Sequence, residues 1–405
     1  MEATPFLQLI IALGVIIVAA KLGGYASYSL GQPSVLGELL VGIIIGPSLL
    51  NLLHLPYFSD EHLVETVAHL GEIGVLLLMF IAGLELHLDE LAKTGKVAVF
   101  AGILGVVVPL VLGTGLGLLF EFDIAPAVLV GLVLSATSVS ISAQTLMELK
   151  VLRSRVGIGM MGSAVFDDIL VILGLSLLFA VTHSGGNASI FGILWIALRM
   201  VLYLVGAWLV GAWLLPKLGA WVEKLPISMG LISFAFVIML VYAWAAETLG
   251  GMAAITGAFL AGLLLARTRL KERIDTGIAT ISYAIFVPIF FVNVGLSANA
   301  RLLTVDTAWF FILITILAII GKVLGAGLGA NLAGFSRLEA LQLGVGMMSR
   351  GEVGLIVATV GIAEGLLFPE AFASIVGMVI VTTLITPPLL RVLFTRPLNK
   401  KPSEA

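Results

Sequence analysis

The chain has 405 residues, 60% of them hydrophobic and 11% charged, against roughly 25% charged in an average soluble domain. Mean hydropathy is +1.18, and apolar runs of about 20 residues recur along the chain, which places it in a bilayer. It has no cysteine, which excludes disulfides and thiolate chemistry, and its net charge of −3 comes with no basic tail or nucleic-acid motif.

The N-terminal stretch MEATPFLQLIIALGVIIVAAKLG lacks a basic leader and a small-residue cleavage site, so it reads as a first membrane helix. In chain order the apolar segments fall at 6–28, 33–53, 66–86, 97–120, 125–147, 155–182, 190–215, 227–247, 250–267, 278–298, 304–330, 337–363 and 370–394. Breaks rich in Gly, Pro or charge separate them, among them GQPS, HLPYFSDE, HSGG, KLPIS and ERIDTG. The tail beyond 395 is too short to fold, and no soluble regulatory domain is expected. The histidines His54, His62, His69, His87 and His183 show no metal-ligand spacing, so no cofactor is expected.

Thirteen segments with the N-terminus outside put sixteen Lys and Arg residues on one side of the membrane and Arg301 alone on the other. That asymmetry is the one the positive-inside rule requires, giving N-out and C-in. Lys21, Arg199, Lys322 and Arg350 remain within segments. No partner for Arg199 is legible.

The two halves echo one another. VLGELLVGIIIG in segment 2 matches ITGAFLAGLLLA in segment 9 with equal Gly-to-Gly spacing. Gly37 and Gly257 are 220 residues apart, Gly83 and Gly295 212, and Gly131 and Gly344 213. Equivalent segments are seven apart, so the two copies would cross the bilayer in opposite senses. Inverted repeats of this kind build secondary transporters with midplane sites.

An ionisable residue inside a membrane segment is costly and marks function by default. Asp167 and Asp168 are adjacent in GMMGSAVFDDILVILGL, and Lys322 lies in IIGKVLGAGLG. Asp168 is 13 positions past Arg155, Thr137 is 13 before Lys150, Lys322 is 15 before Arg337, and Arg350 is 13 after it. At about 1.5 Å per residue, all four converge on one layer about 20 Å from those basic markers. In that layer segment 5 reads LSATSVSIS and segment 12 reads MMSRGEVG, both poor as apolar helix. Unwound backbone is tolerated where it lines a cavity, and crossed, discontinuous helices beside a carboxylate would make a cation site. The residues alone also allow a purely structural Asp–Lys pair, ordinary packing for Ser135 to Ser142, and interfacial or packing roles for Glu38, Glu72 and Glu85.

From QPSVLGELLVGIIIGPSLL through SATSVSISAQTL, AVFDDIL and GKVLG to SRGEVGLIVA, the chain resembles the monovalent cation:proton antiporter-2 family, and within it the bacterial NapA-type sodium/proton antiporters. The resemblance implies an all-α polytopic fold with two inverted repeats. Residues 97–185 and 301–395 would form a core. Residues 1–96 and 219–300 would form a dimerisation domain, with a linker helix at 186–218 and a short tail at 396–405. It implies a homodimer in the bacterial inner membrane, surrounded by lipid. It assigns Asp168 as the carboxylate that carries Na⁺ or a proton, Asp167 as the partner of Lys322, Thr137 and Ser138 to the unwound part of segment 5, and Arg350 with Glu352 to stabilising segment 12.

Electroneutral relatives carry Asn-Asp at the pair, and gated potassium-efflux relatives carry Gln-Asp with a nucleotide-sensing domain. Asp-Asp without such a domain therefore points to electrogenic, ungated exchange. The rival readings are K⁺/H⁺ or mixed Na⁺/K⁺ exchange on the same fold, a sodium-coupled organic-anion symporter and a channel. An enzyme is disfavoured, since no nucleophile, metal or nucleotide motif accompanies the acidic residues.

Overall fold

Thr4 caps the first helix with its hydroxyl, and Pro5 occupies a first-turn position where a missing N–H costs nothing. The structure, a computed structural model, describes residues 4–30, 32–85, 95–183, 190–296 and 307–395. Arg301 and the basic tail beyond 395 lie outside the described residues, as do His87 and Lys93.

Among the described residues the architecture is all helix. The helices are α1 Pro5–Ser29, α2 Ser34–Ile45, α3 Leu63–Glu85, α4 Gly95–Leu119, α5 Ile124–Ser135, α6 Val139–Glu148, α7 Arg155–His183 and α8 Ile190–Val222. They continue with α9 Gly230–Ala245, α10 Ala254–Leu265, α11 Lys271–Ile281, α12 Val287–Leu296, α13 Ala308–Leu332, α14 Arg337–Gly346, α15 Glu352–Ala363 and α16 Pro369–Thr395. π-Helical turns at Ala246–Gly250 and Ser282–Phe286 extend α9 and join α11 to α12.

Ten helical stretches among the described residues are long and apolar enough to cross a bilayer. Three expected segments fall on shorter apolar helices, Ser34–Ile45, Ala254–Leu265 and Val353–Ile362. Twelve residues rise only about 18 Å, short of a roughly 30 Å hydrocarbon core. Segment 2, expected to run to 53, stops at Ile45 because Gly46 precedes Pro47 and is extended (φ −78°, ψ −174°). Segment 10 starts earlier than expected, at Lys271, and segment 7 runs on past Pro216 to Val222.

Lipid-tail surroundings give no hydrophobic force between helices, so close backbone approach at small residues does the packing. Methyl groups built on Gly83 and Gly262 would meet the Leu263 and Leu84 backbone nitrogens at 2.9 and 3.0 Å, locking α3 onto α10. The corresponding pair Gly42 and Gly295 locks α2 onto α12, with a methyl on Gly42 only 2.9 Å from the Gly295 Cα. In the other group of helices Gly113 of α4 abuts Gly131 of α5, and Gly344 of α14 abuts the Val323 carbonyl of α13. The outer faces stay apolar: Phe191, Trp195 and Trp213 of α8 are all more than half exposed.

Candidate functional site

Segments 5 and 12 are each broken, between Ser135 and Val139 and between Gly346 and Glu352. Ala136 and Ser138 are extended, and Gly351 is extended at φ −162°. The two unwound stretches cross and bond each other. The Ser138 N–H donates to the Ser349 carbonyl at 2.8 Å, and the Ser349 hydroxyl returns a bond to the Ser138 carbonyl at 2.8 Å. Ser142 donates to the Gly346 carbonyl at 2.5 Å. A methyl on Gly351 would stand 2.5 Å from the Ser138 hydroxyl oxygen, so the crossing demands glycine there. Backbone groups released by the breaks thereby find partners inside protein, which the membrane requires of them.

Arg350 is fully buried. Its guanidinium donates to the Met348 carbonyl at 2.7 Å, the Met347 carbonyl at 3.3 Å and the Ala318 carbonyl at 2.8 Å. It thus places positive charge on the carbonyl end of α14, where a helix carries partial negative charge. Thr382 and Thr383 of α16 fix its backbone, accepting from the Arg350 N–H at 3.2 Å and donating to its carbonyl at 2.7 Å. Glu352 begins α15, but its side chain lies outside the described set.

The adjacent aspartates face different surroundings, as the roughly 100° step of a helix dictates. Asp167 turns toward α4, α5 and α13. Its Oδ2 forms an ion pair with Lys322 Nζ and accepts from the Thr137 hydroxyl at 2.7 Å, with both charged side chains fully buried. Gly105 of α4 faces the pair, and a methyl there would rest in ordinary contact, 3.4 Å from Asp167 Oδ1 and 3.5 Å from Lys322 Nζ. Asp168 turns the other way, onto a cavity of ≈ 10 Å³ lined by Val139, Met161 and Ala164 on one side and Met79, Ile255, Thr256 and Phe259 on the other. That volume is about one water molecule. The Thr256 hydroxyl approaches Asp168 Oδ2 at 3.4 Å.

Five of the expected site residues, Asp167, Lys322, Thr137, Ser138 and Arg350, gather around the crossing, and Asp168 lies beside Val139 at its edge. Ser135 is not among them; its hydroxyl donates back to the Val106 and Gly131 carbonyls. Sequence reasoning missed Thr256, Thr382 and Thr383. It also left Arg199 unassigned. The structure gives it the carbonyls of Thr248 and Leu249, each at 2.5 Å, at the end of the first π turn. Lys21 likewise donates to the Tyr283 carbonyl of the second, at 2.6 Å. Glu38 is buried on α2 and Glu72 is exposed.

Chemically, the arrangement offers one carboxylate on a water-sized cavity with the Thr256 hydroxyl close by, and a second carboxylate already committed to an ammonium. Hard oxygen donors of this kind suit a small, hard cation.

Residues 10–396 match the family described as sodium/hydrogen exchanger, transmembrane. The chain is 38% identical over 382 residues to the Na(+)/H(+)-K(+) antiporter GerN of Bacillus cereus, covering 94% of this chain and 95% of that one. It is 34% identical to the Na(+)/H(+) antiporter of Enterococcus hirae, over 94% and 96%. The sodium proton antiporter MjNhaP1 of Methanocaldococcus jannaschii shares the fold, with a TM-score of 0.69, 19% identity and coverage of 97% of this chain and 99% of that one. The chain belongs to the sodium/hydrogen exchanger family.

Proposed function

We propose that this multi-pass membrane protein exchanges Na⁺ or Li⁺ for protons, with cation and proton competing for Asp168. The observation that carries the reading is the contrast within the aspartate pair. Asp168 borders a water-sized cavity between two groups of helices, and Asp167 is already paired with Lys322. Protonation of Asp168 removes the charge that holds the cation, and cation binding expels the proton. Opening the Asp167–Lys322 pair supplies a second protonation change, so each cycle moves net charge. A membrane potential then contributes about 2.3 kcal/mol per elementary charge per 100 mV.

The proposed topology is thirteen crossings, N-out and C-in, with α2, α10 and the broken α14–α15 completing the ten long stretches. The matched contacts Gly42–Gly295 and Gly83–Gly262 support two inverted repeats, since each joins a helix of one half to a helix of the other. The proposed core is 97–185 with 301–395, the dimerisation domain 1–96 with 219–300, and the linker 186–218. The core would slide against the dimerisation domain as an elevator, in a homodimer in the bacterial inner membrane. Kinship with the NapA-type antiporters rests on the Asp-Asp pair with GKVLG and SRGEVGL.

Exchange of K⁺ is the second reading. The name of GerN includes K(+), and cavity size and ligand geometry set such preferences. Sealed liposomes with an internal pH dye, given Na⁺, Li⁺ or K⁺ in turn at clamped voltages, test both. A Na⁺ and Li⁺ response that varies with voltage supports the first reading, and K⁺ alone the second. Silence with every cation, with orientation verified, would remove both.

A further inference from the structure

α2 begins with no cap of its own. Pro33 precedes it and supplies no side-chain bond to its free N–H groups. A carboxylate from the other group of helices fills the gap. Glu148, the last residue of α6, accepts from the Ser34 N–H at 2.8 Å through Oε2. Its Oε1 accepts from the Ser34 hydroxyl and from Gln144 Nε2 at 3.0 Å. An anion at a helix N-terminus gains from the helix dipole as well as from charge-assisted bonds. Beside it, Tyr283 donates its hydroxyl to the Met147 sulfur at 3.8 Å, while Lys21 braces the Tyr283 carbonyl. Glu38, buried one turn along α2, lies within electrostatic reach of both Lys21 and Glu148.

These bonds join the same two groups of helices that face each other across Asp168. Val139, at the start of α6, lines the Asp168 cavity, and Glu148 ends the same helix. The contact therefore sits one short helix, about 14 Å, from the cavity, beside Lys150 and hence on the proposed cytoplasmic face. We propose that Glu148 on the N-terminus of α2 is a latch that holds the path from that face to Asp168 closed and must release each time the site opens there. The inference rests on the antiport reading for its purpose. Glu148 touches no ion in it and acts as a positioning residue.

The chain contains no cysteine, so a single introduced thiol can be read without background. Met79→Cys, on the cavity wall, is labelled with an impermeant maleimide from the Lys150 face of membrane vesicles, and Na⁺-driven proton flux of the wild-type protein is followed in parallel. Charge-assisted bonds of this kind shift an equilibrium by about tenfold or more. Glu148→Ala should therefore raise the labelling rate by about tenfold, Glu148→Gln by less, and Ser34→Ala by less still. Ser34→Ala should add nothing once Glu148→Ala is present. Labelling at the wild-type rate in folded Glu148→Ala protein overturns the latch, as does a full additional effect of Ser34→Ala. Absent Na⁺-dependent flux in the wild-type protein, assayed alongside, would instead count against the antiport reading and leave the labelling comparison intact.

Discussion

Asp167 and Asp168 share a helix turn and differ in almost everything else. Asp167 is fully buried, with an ammonium and a hydroxyl on one oxygen and, among the described residues, no hydrogen-bond partner on the other. Asp168 faces a cavity whose mainly apolar wall comes from both groups of helices, with the Thr256 hydroxyl of the opposite group at 3.4 Å. A carboxylate paired within its own bundle keeps its charge compensated and is hard to reach. One that faces a seam between two bundles changes its surroundings whenever the bundles slide. The lesson is that a 100° step along one helix is enough to separate a charge paired inside one bundle from a charge that faces the seam, the one proposed to meet the cargo.

That contrast can be broken most sharply at Asp168. Asp168→Asn keeps the shape and removes the titratable charge, so exchange in liposomes should fall to background while the protein stays folded. The mirror change, Asp167→Asn, should leave exchange running and flatten its voltage response, because the second protonation change is gone; current measurements on supported membranes read this directly. Lys322→Ala leaves Asp167 buried without its cation, and breaking such a pair costs about 3–5 kcal/mol. Thermal unfolding in detergent should show a large loss of stability, partly recovered by adding Asp167→Asn. At the small end, Thr256→Val removes one hydroxyl 3.4 Å from Asp168. The loss of about 1 kcal/mol should raise the apparent KM for Na⁺ several-fold with little change in maximal rate.

Much of the site was readable from the chain. Counting residues from basic markers put Thr137, Asp168, Lys322 and Arg350 in one layer, because helix rise is fixed and basic residues mark the membrane edge. The breaks were readable because hydroxyls, glycine and charge interrupt otherwise apolar runs. Thr256 was not readable: a threonine in ITGAFLAGLLLA is unremarkable until α10 is laid against α7. Arg199 takes the Thr248 and Leu249 carbonyls because the helix ends at Gly251 (φ 65°), and Lys21 takes the Tyr283 carbonyl because Pro288, five residues on, has no N–H to offer it; neither pairing is legible until the helices are laid side by side. The early end of α2 carried a signal that was passed over, since Gly46-Pro47 is a helix stop by proline sterics alone. Glu148 was invisible for a different reason. It looks like a polar helix end, and its worth depends on an uncapped helix more than a hundred residues away in the chain.

Competition at a single carboxylate has a kinetic signature, and the most direct measurement is the apparent KM for Na⁺ in proteoliposomes across a pH series. If a proton and Na⁺ exclude each other at Asp168, KM should rise by up to about tenfold for each pH unit of acidification once Asp168 takes up protons, with the maximal rate unchanged at saturating Na⁺. A KM that stays constant while acid lowers the maximal rate would mean that protons act elsewhere than on the cation's own ligand, and would contradict the account.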